Sequence, residues 1–161
     1  MELLIRVSHA TNRWVERALA FFGITMAVVV ALQVFCRYVL NHSLFWSEEL
    51  ARYLLVWLTF TGATAAYFRK IHPGIDILTL HLNQKLQKLC RILVHLVSLG
   101  LFLVMIYHGT GFAYFVRSQI SPALAIPKWI IFVIIPVSGA IFLVHCLSFL
   151  IEELVEMSDD S

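Results

Sequence analysis

Two adjacent carboxylates, Glu48 and Glu49, stand four and three residues ahead of Arg52, just after Trp46 and Ser47 and at the head of an apolar run that lasts to Phe68. On a helix those spacings bring the acids and the guanidinium to one side, where each acid is partly neutralised. Ser47 is the residue type that caps a helix, its hydroxyl accepting an orphan backbone N–H, and acids in the following turn lie at the positive end of the helix dipole. Two functions fit. The cluster either caps a membrane-crossing helix and marks the bilayer surface, or it forms a polar docking surface for another membrane protein, since such groups beside hydrocarbon are costly without a partner. Spacing alone leaves both open.

The other chemistry-bearing residues are histidines and cysteines. His95 lies about one turn past Arg91 and His145 about two turns before Glu152, so both fall near the cytoplasmic side and two imidazoles could hold a haem between them, the arrangement of a membrane anchor in a redox complex. His108 cannot join that pair from the same face, because the residues separating it from His95 rotate it by about 140° around the helix. No nucleophile, base and acid occur together, and no phosphate-binding glycine loop is present, so enzymatic chemistry is not expected. Cys36, Cys90 and Cys146 are scattered, without metal-ligand spacing, and read as small buried hydrophobes. A solute pathway normally requires ionisable groups at the bilayer midplane. Every Asp, Glu, Lys and Arg here falls at the end of an apolar run, in a connection or in a tail, which argues against a stand-alone pump.

The elements that position these residues follow from composition. Of 161 residues, 60% are hydrophobic and 14% charged, the balance of an integral membrane protein. Uncharged runs lie between Arg17 and Arg37, Arg52 and Arg69, Arg91 and Arg117, and Lys128 and Glu152. Each holds about 16 to 25 residues, against the roughly 20 that cross the hydrocarbon core, with the second run borrowing its charged first turn. One all-α membrane domain with four spans is expected, over about 14–40, 48–68, 84–116 and 128–151, followed by an acidic tail over 152–161. Trp14 and Tyr38 bracket the first span as interface anchors. No small-residue cleavage site follows that span, which predicts an uncleaved anchor rather than a signal peptide.

Lys and Arg number eight in the N-terminal segment and the second connection, against four in the first and third connections. The positive-inside rule then places both termini in the cytoplasm. Two amphipathic surface helices are expected: one over 2–18, with Leu4, Val7, Thr11, Trp14 or Val15, and Ala18 at helical spacing, and one after His72-Pro73-Gly74, where Ile75, Leu78, Leu82, Leu86 and Leu89 form a stripe. Thr59, Gly62, Ala63 and Ala66 give the second span a small-residue face on which a neighbouring helix can approach closely. Pro136 should bend the fourth span.

The combination of Arg37-Tyr38-Val39-Leu40-Asn41, Trp46-Ser47-Glu48-Glu49-Leu50-Ala51-Arg52, Gly62-Ala63, Arg69-Lys70 and His72-Pro73-Gly74-Ile75-Asp76 resembles the small, Q-type membrane subunit of tripartite ATP-independent periplasmic (TRAP) transporters. Leu124-Ala125-Ile126-Pro127-Lys128-Trp129, followed by Ile135-Pro136, resembles the entry to that family's fourth span. The likeness covers nearly the whole chain in order. One departure is Pro73, where an aliphatic residue is more usual.

The resemblance implies a multi-pass protein of the bacterial inner membrane, serving a sodium-driven secondary transporter. A soluble periplasmic binding protein delivers an organic acid to a large membrane subunit that holds the solute and sodium sites. The small subunit braces the large one, with no catalytic, cofactor or metal site of its own and no nucleic acid partner. Carried onto this chain, Trp46, Ser47, Glu48, Glu49, Arg52, Arg69, His72 and Asp76 are the expected large-subunit interface. Asn41, His42, Arg117 and Lys128 are expected on the rim nearest the binding protein, with lipid around the remainder.

Overall fold

The structure, a computed structural model, describes residues 2–69 and 84–159. Its architecture is an all-helical bundle. Helix α1 runs Glu2–Tyr38, α2 Phe45–Phe68, α3 Gln84–Phe115, α4 Trp129–Phe132 and α5 Ile134–Asp159. Among the described residues three stretches are long and apolar enough to cross a membrane: Leu4–Tyr38, Ile92–Phe115 and Trp129–Glu153, the last made of α4 and α5 together. Helix α2 has the length but is diluted by Glu48, Glu49 and Arg52 of its first two turns and by its threonines and tyrosines, so it falls short on apolar composition.

The amphipathic segment expected over 2–18 is not a separate surface helix. It is the first half of one uninterrupted α1. No Pro interrupts α1 and its first Gly is Gly23, and two polar side chains of the segment, Ser8 and Asn12, find partners inside the bundle. Ser8, Asn12 and Val15, one helical ridge, are all buried. Helix α5 continues through the first residues of the acidic tail to Asp159. The second surface helix, with Ile75, Leu78 and Leu82, falls outside the described residues.

Helices α1 and α2 pair, α3 pairs with α5, and α2 and α5 join the two pairs. Lipid chains are as apolar as leucine, so tight side-chain fit rather than escape from water holds such helices together. An aromatic cluster supplies that fit where α2, α3 and α5 meet. Phe102 and Phe142 stack at 4.7 Å between ring centroids, and Tyr67 stands edge-on to both at 5.4 and 5.5 Å, arrangements favoured by the ring quadrupole. Cys146 and Phe149 complete this core. Buried Cys146 fits the small-hydrophobe reading, whereas Cys36 and Cys90 are only half-buried.

Helices α3 and α5 cross closely at two glycines. A Cβ on Gly109 would lie 2.9 Å from Ile135 and 3.0 Å from Pro136, and one on Gly139 would lie 3.0 Å from Ile106. The helix breaks at Val133, between α4 and α5, within one turn before Pro136, which cannot donate to Phe132. On α2 the bundle-facing residues are Thr61, Thr64, Ala65 and Tyr67, whereas Thr59 and Ala63 of the predicted small-residue face point outward. The hydroxyls of Thr25, Thr59, Thr61 and Thr64 all donate to backbone carbonyls of their own helices, as expected of threonines that line no path.

Candidate functional site

The Trp46–Arg52 motif starts α2, but its residues divide between inside and outside. The helix begins at Phe45 with Leu44 as the flanking residue, and Leu44 offers no side-chain cap. Ser47, expected as the cap, lies within the first turn and is fully buried; its hydroxyl donates to the Leu44 carbonyl at 2.7 Å. A hydroxyl so placed satisfies an acceptor rather than the orphan N–H groups. The expected pairing of the acids with Arg52 is also absent from the structure, where Arg52 is exposed and forms no ion pair among the described residues.

Glu49 turns inward and is only 8% exposed. Its Oε2 accepts the backbone N–H groups of Ala123 at 2.7 Å and Leu124 at 3.1 Å, while its Oε1 accepts the Tyr53 hydroxyl. One carboxylate therefore ties the start of α2 to the loop between α3 and α4. That loop is tightly wound. Ser121 donates to Ile126 at 2.9 Å and Lys128 to Gln119 at 2.9 Å, Ile120 and Pro127 form an isolated antiparallel bridge, and Ala125 takes the left-handed backbone at φ 53°. The amides of Ala123 and Leu124 point out of it as a two-donor nest, the arrangement that binds anions elsewhere. Here the protein supplies its own anion. Leu124-Ala125-Ile126-Pro127-Lys128-Trp129 and the Trp46–Arg52 motif, distant in sequence, meet at this carboxylate.

Trp46, Glu48 and Arg52 remain on the surface. Glu48 accepts a long 3.4 Å bond from Gln33 of α1. Around them lies a rim of connections. Asn41, at φ 49°, ends α1 in the left-handed conformation that Asn tolerates, and the exposed His42 donates its N–H to Cys36 at 3.0 Å. Arg117 lies 3.6 Å over the Tyr114 ring, and Lys128 donates to the Gln119 side chain at 3.2 Å. Thr110, Ala113, Tyr114, Arg117 and Trp129 line an open groove of about 320 Å³ beside them. Residues Asn41, His42, Arg117 and Lys128 thus share the end of the bundle that Glu49 organises.

At the opposite end, Arg69 bridges to Glu16 at 2.8 Å, joining the end of α2 to α1, and Asn12 adds a 3.1 Å bond to the same carboxylate oxygen. Deeper in, the Ser8 hydroxyl and His145 Nδ1 are 2.7 Å apart, both residues buried, and the Phe68 ring lies 5.0 Å from the imidazole. His72 and Asp76 fall outside the described residues. The haem reading finds no support here. From His145 the rings of Phe68, Phe149 and His95 follow in series at 5.0, 6.3 and 6.3 Å, so aromatic side chains fill the space a porphyrin would need.

Sequence reasoning missed both long-range ties, Glu49 to the Ala123 and Leu124 amides and Ser8 to His145. Backbone donors have no sequence signature. The second pair had half a signal, since each member is a polar residue within an apolar helix.

Among the described residues, the structure is an all-helical bundle with apolar helices long enough to cross a membrane, its ion pair and its buried carboxylate at opposite ends, and the hydroxyls of Thr25, Thr59, Thr61 and Thr64 bonded to their own helices. The chain belongs to the family described as tripartite ATP-independent periplasmic transporters, DctQ component, which matches residues 26–156. It is a small TRAP permease subunit, a multi-pass protein of the bacterial inner membrane. Relatives agree. The chain is 29% identical over 155 residues to the C4-dicarboxylate TRAP transporter small permease protein DctQ of Rhodobacter capsulatus, covering 92% of this chain and 66% of that one. It is 32% identical over 72 residues to a putative TRAP transporter small permease protein of Haemophilus influenzae, 45% of each. A third relative, the sialic acid TRAP transporter permease protein SiaT of Haemophilus influenzae, is 33% identical over 91 residues, 56% of this chain but only 14% of that much longer protein. Each alignment therefore leaves a third or more of the relative's own length unmatched.

Proposed function

We propose that this chain braces the large transport subunit of a sodium-driven TRAP transporter, which takes up an organic acid delivered by a periplasmic binding protein. In this reading α2 joins the three apolar helices as a fourth span, and both termini lie in the cytoplasm, the side favoured by the lysine and arginine bias. The Glu49 end then faces the periplasm. The observation that carries the proposal is the placement of charge. Helices that carry solute or ions need polar groups at the midplane, whereas the charged side chains described here cluster at the two ends, where they tie helices together or stand exposed. Such a chain can hold a partner in place but offers no path of its own.

Trp46, Glu48 and Arg52 are the motif residues on the surface and are assigned to the large subunit. Glu49 and Ser47 act indirectly, by fixing the α3–α4 loop and the first turn of α2. Asn41, His42, Arg117 and Lys128 form the rim assigned to the binding protein, and Arg69, with His72 and Asp76 beyond it, marks the cytoplasmic connection. Sodium and solute sites lie in the large subunit. The solute is an organic acid, by analogy with the sialic acid and C4-dicarboxylate TRAP transporters to which the relatives belong.

The test is reconstitution in proteoliposomes with a sodium gradient and binding protein. Uptake should require this chain and the large subunit together and be absent with this chain alone. Full uptake by the large subunit without this chain would overturn the bracing role.

A further inference from the structure

The outward faces of α1 and α3 are both apolar, yet they are not alike. Along α1, exposed Phe21, Ile24, Val28 and Phe35 alternate with small Ala20, Ala27 and Ala31, and between Arg17 and Arg37, which stands at the very end of the span, no polar residue is exposed. Lipid suffices to cover such a face. Along α3, Gly100, Val104, Tyr107 and Gly111 follow at four, three and four residues, one stripe pointing away from the bundle. A Cβ on Gly100 or Gly111 would meet nothing within 4 Å. Bare backbone is therefore presented outward twice, with Tyr107, 77% exposed, between.

Beside that stripe is His108. Its imidazole is exposed, touches only the edge of Tyr107 at 5.1 Å and makes no hydrogen bond among the described residues. It lies about 10 Å from the Phe115 end of the span at a helical rise of 1.5 Å per residue, well inside hydrocarbon. Thr110, also exposed, differs in that its hydroxyl is satisfied by the Ile106 carbonyl. An imidazole facing lipid without a partner is costly, and glycines on the same face let another helix approach closely enough to hydrogen-bond it. Lipid tails can supply no such bond.

We propose that the α3 face formed by Gly100, Tyr107, His108 and Gly111 is where a transmembrane helix of the large permease packs, with a hydrogen-bonding side chain level with His108. This rests on the subunit reading above. The occupant is argued from two observations: the unpaired imidazole requires protein, and in the SiaT relative the matched segment belongs to a single permease protein of which it is only 14%, so several times as much permease stands beside it in the same chain.

The test uses the full chain in membranes of its native host, with photoreactive benzoylphenylalanine placed at Tyr107 or, on α1, at Ile24. Illumination at Tyr107 should give an adduct with a much larger polytopic protein, identified by mass spectrometry, in clear excess over Ile24. In parallel, Gly111→Leu, which fills open space and leaves the isolated chain folded, should lower recovery of the large chain by about tenfold, while Ile24→Ala leaves it unchanged. An adduct of twice this chain's mass would assign the face to a second copy and overturn the proposal. So would a Tyr107 yield no higher than that of Ile24. If the large chain co-purifies but Tyr107 does not crosslink to it, the face is wrong and the subunit reading survives; if no large chain co-purifies, both fail.

Discussion

Glu49 ties one end of the bundle and Glu16 the other, and the two ties differ in kind. Glu49 is buried and spends its carboxylate on two backbone amides and a tyrosine hydroxyl, joining segments more than seventy residues apart. Glu16 joins Arg69 across the other end with side-chain exposures of 40% and 60%. A buried acceptor whose partners are backbone donors cannot be exchanged for water without unfolding the loop that offers them, whereas an exposed ion pair exchanges its partner for water at little net change. The first tie sets structure. The second only adjusts it.

Glu49→Ala should therefore have the largest effect. It leaves the Ala123 and Leu124 amides without an acceptor and frees the wound loop from α2. In detergent the midpoint of thermal unfolding should fall by roughly 5–10 °C, and the segment between α3 and α4 should become a new site of limited proteolysis. Glu49→Gln keeps a carbonyl oxygen for the amides but exchanges a charged acceptor for a neutral one, so it should lie between the two. A Glu49→Ala protein with unchanged melting and an uncut loop would show that the loop holds itself, and the contrast between the ends would collapse.

The Glu16 end has a buried tie of its own, the contact between Ser8 and His145. Ser8→Ala strands a ring nitrogen in a fully buried slot and should destabilise by about 1–2 kcal/mol, a loss readable as a shift in the same melting curve. His145→Phe in the Ser8→Ala background removes the stranded nitrogen too and should recover part of that loss, because a pair replaced by apolar groups of similar shape can be nearly neutral. If the double variant is worse than Ser8→Ala alone, the imidazole does more than answer Ser8.

These ties explain how far the sequence could be read. Helix α3 runs Gln84–Phe115 and its stretch long and apolar enough to cross a membrane is Ile92–Phe115, because uninterrupted apolar residues after Arg91 specify a helix locally. The break near Pro136 was legible for the same reason, a missing N–H being a property of one residue. What could not be read was which polar residue faces which helix. Ser47 had the composition of a cap and Arg52 the spacing of an ion-pair partner, but tertiary contacts with the α3–α4 loop decided the geometry of that turn. In the same way the stripe of Leu4, Val7, Thr11 and Ala18 read over 2–18 does not include Ser8 and Asn12, which are buried on α1 in the folded chain. Motif membership marked Glu49 and Leu124–Trp129 separately. Their meeting is a fact of folding.

The smallest effect belongs to Glu16→Gln. Its carboxylate bridges to Arg69 in the open, so the variant should melt within experimental error of the parent at moderate salt, with any difference appearing only at low ionic strength, where exposed charges are least screened. The informative comparison is the salt dependence. Raising the ionic strength should erase whatever separates Glu16→Gln from the parent while leaving the Glu49→Ala deficit intact, since two amides without an acceptor are not repaired by screening. An equal salt response at the two positions would mean that Glu49 acts as a surface charge after all, and that the wound loop between α3 and α4, not its carboxylate, holds that end of the bundle together.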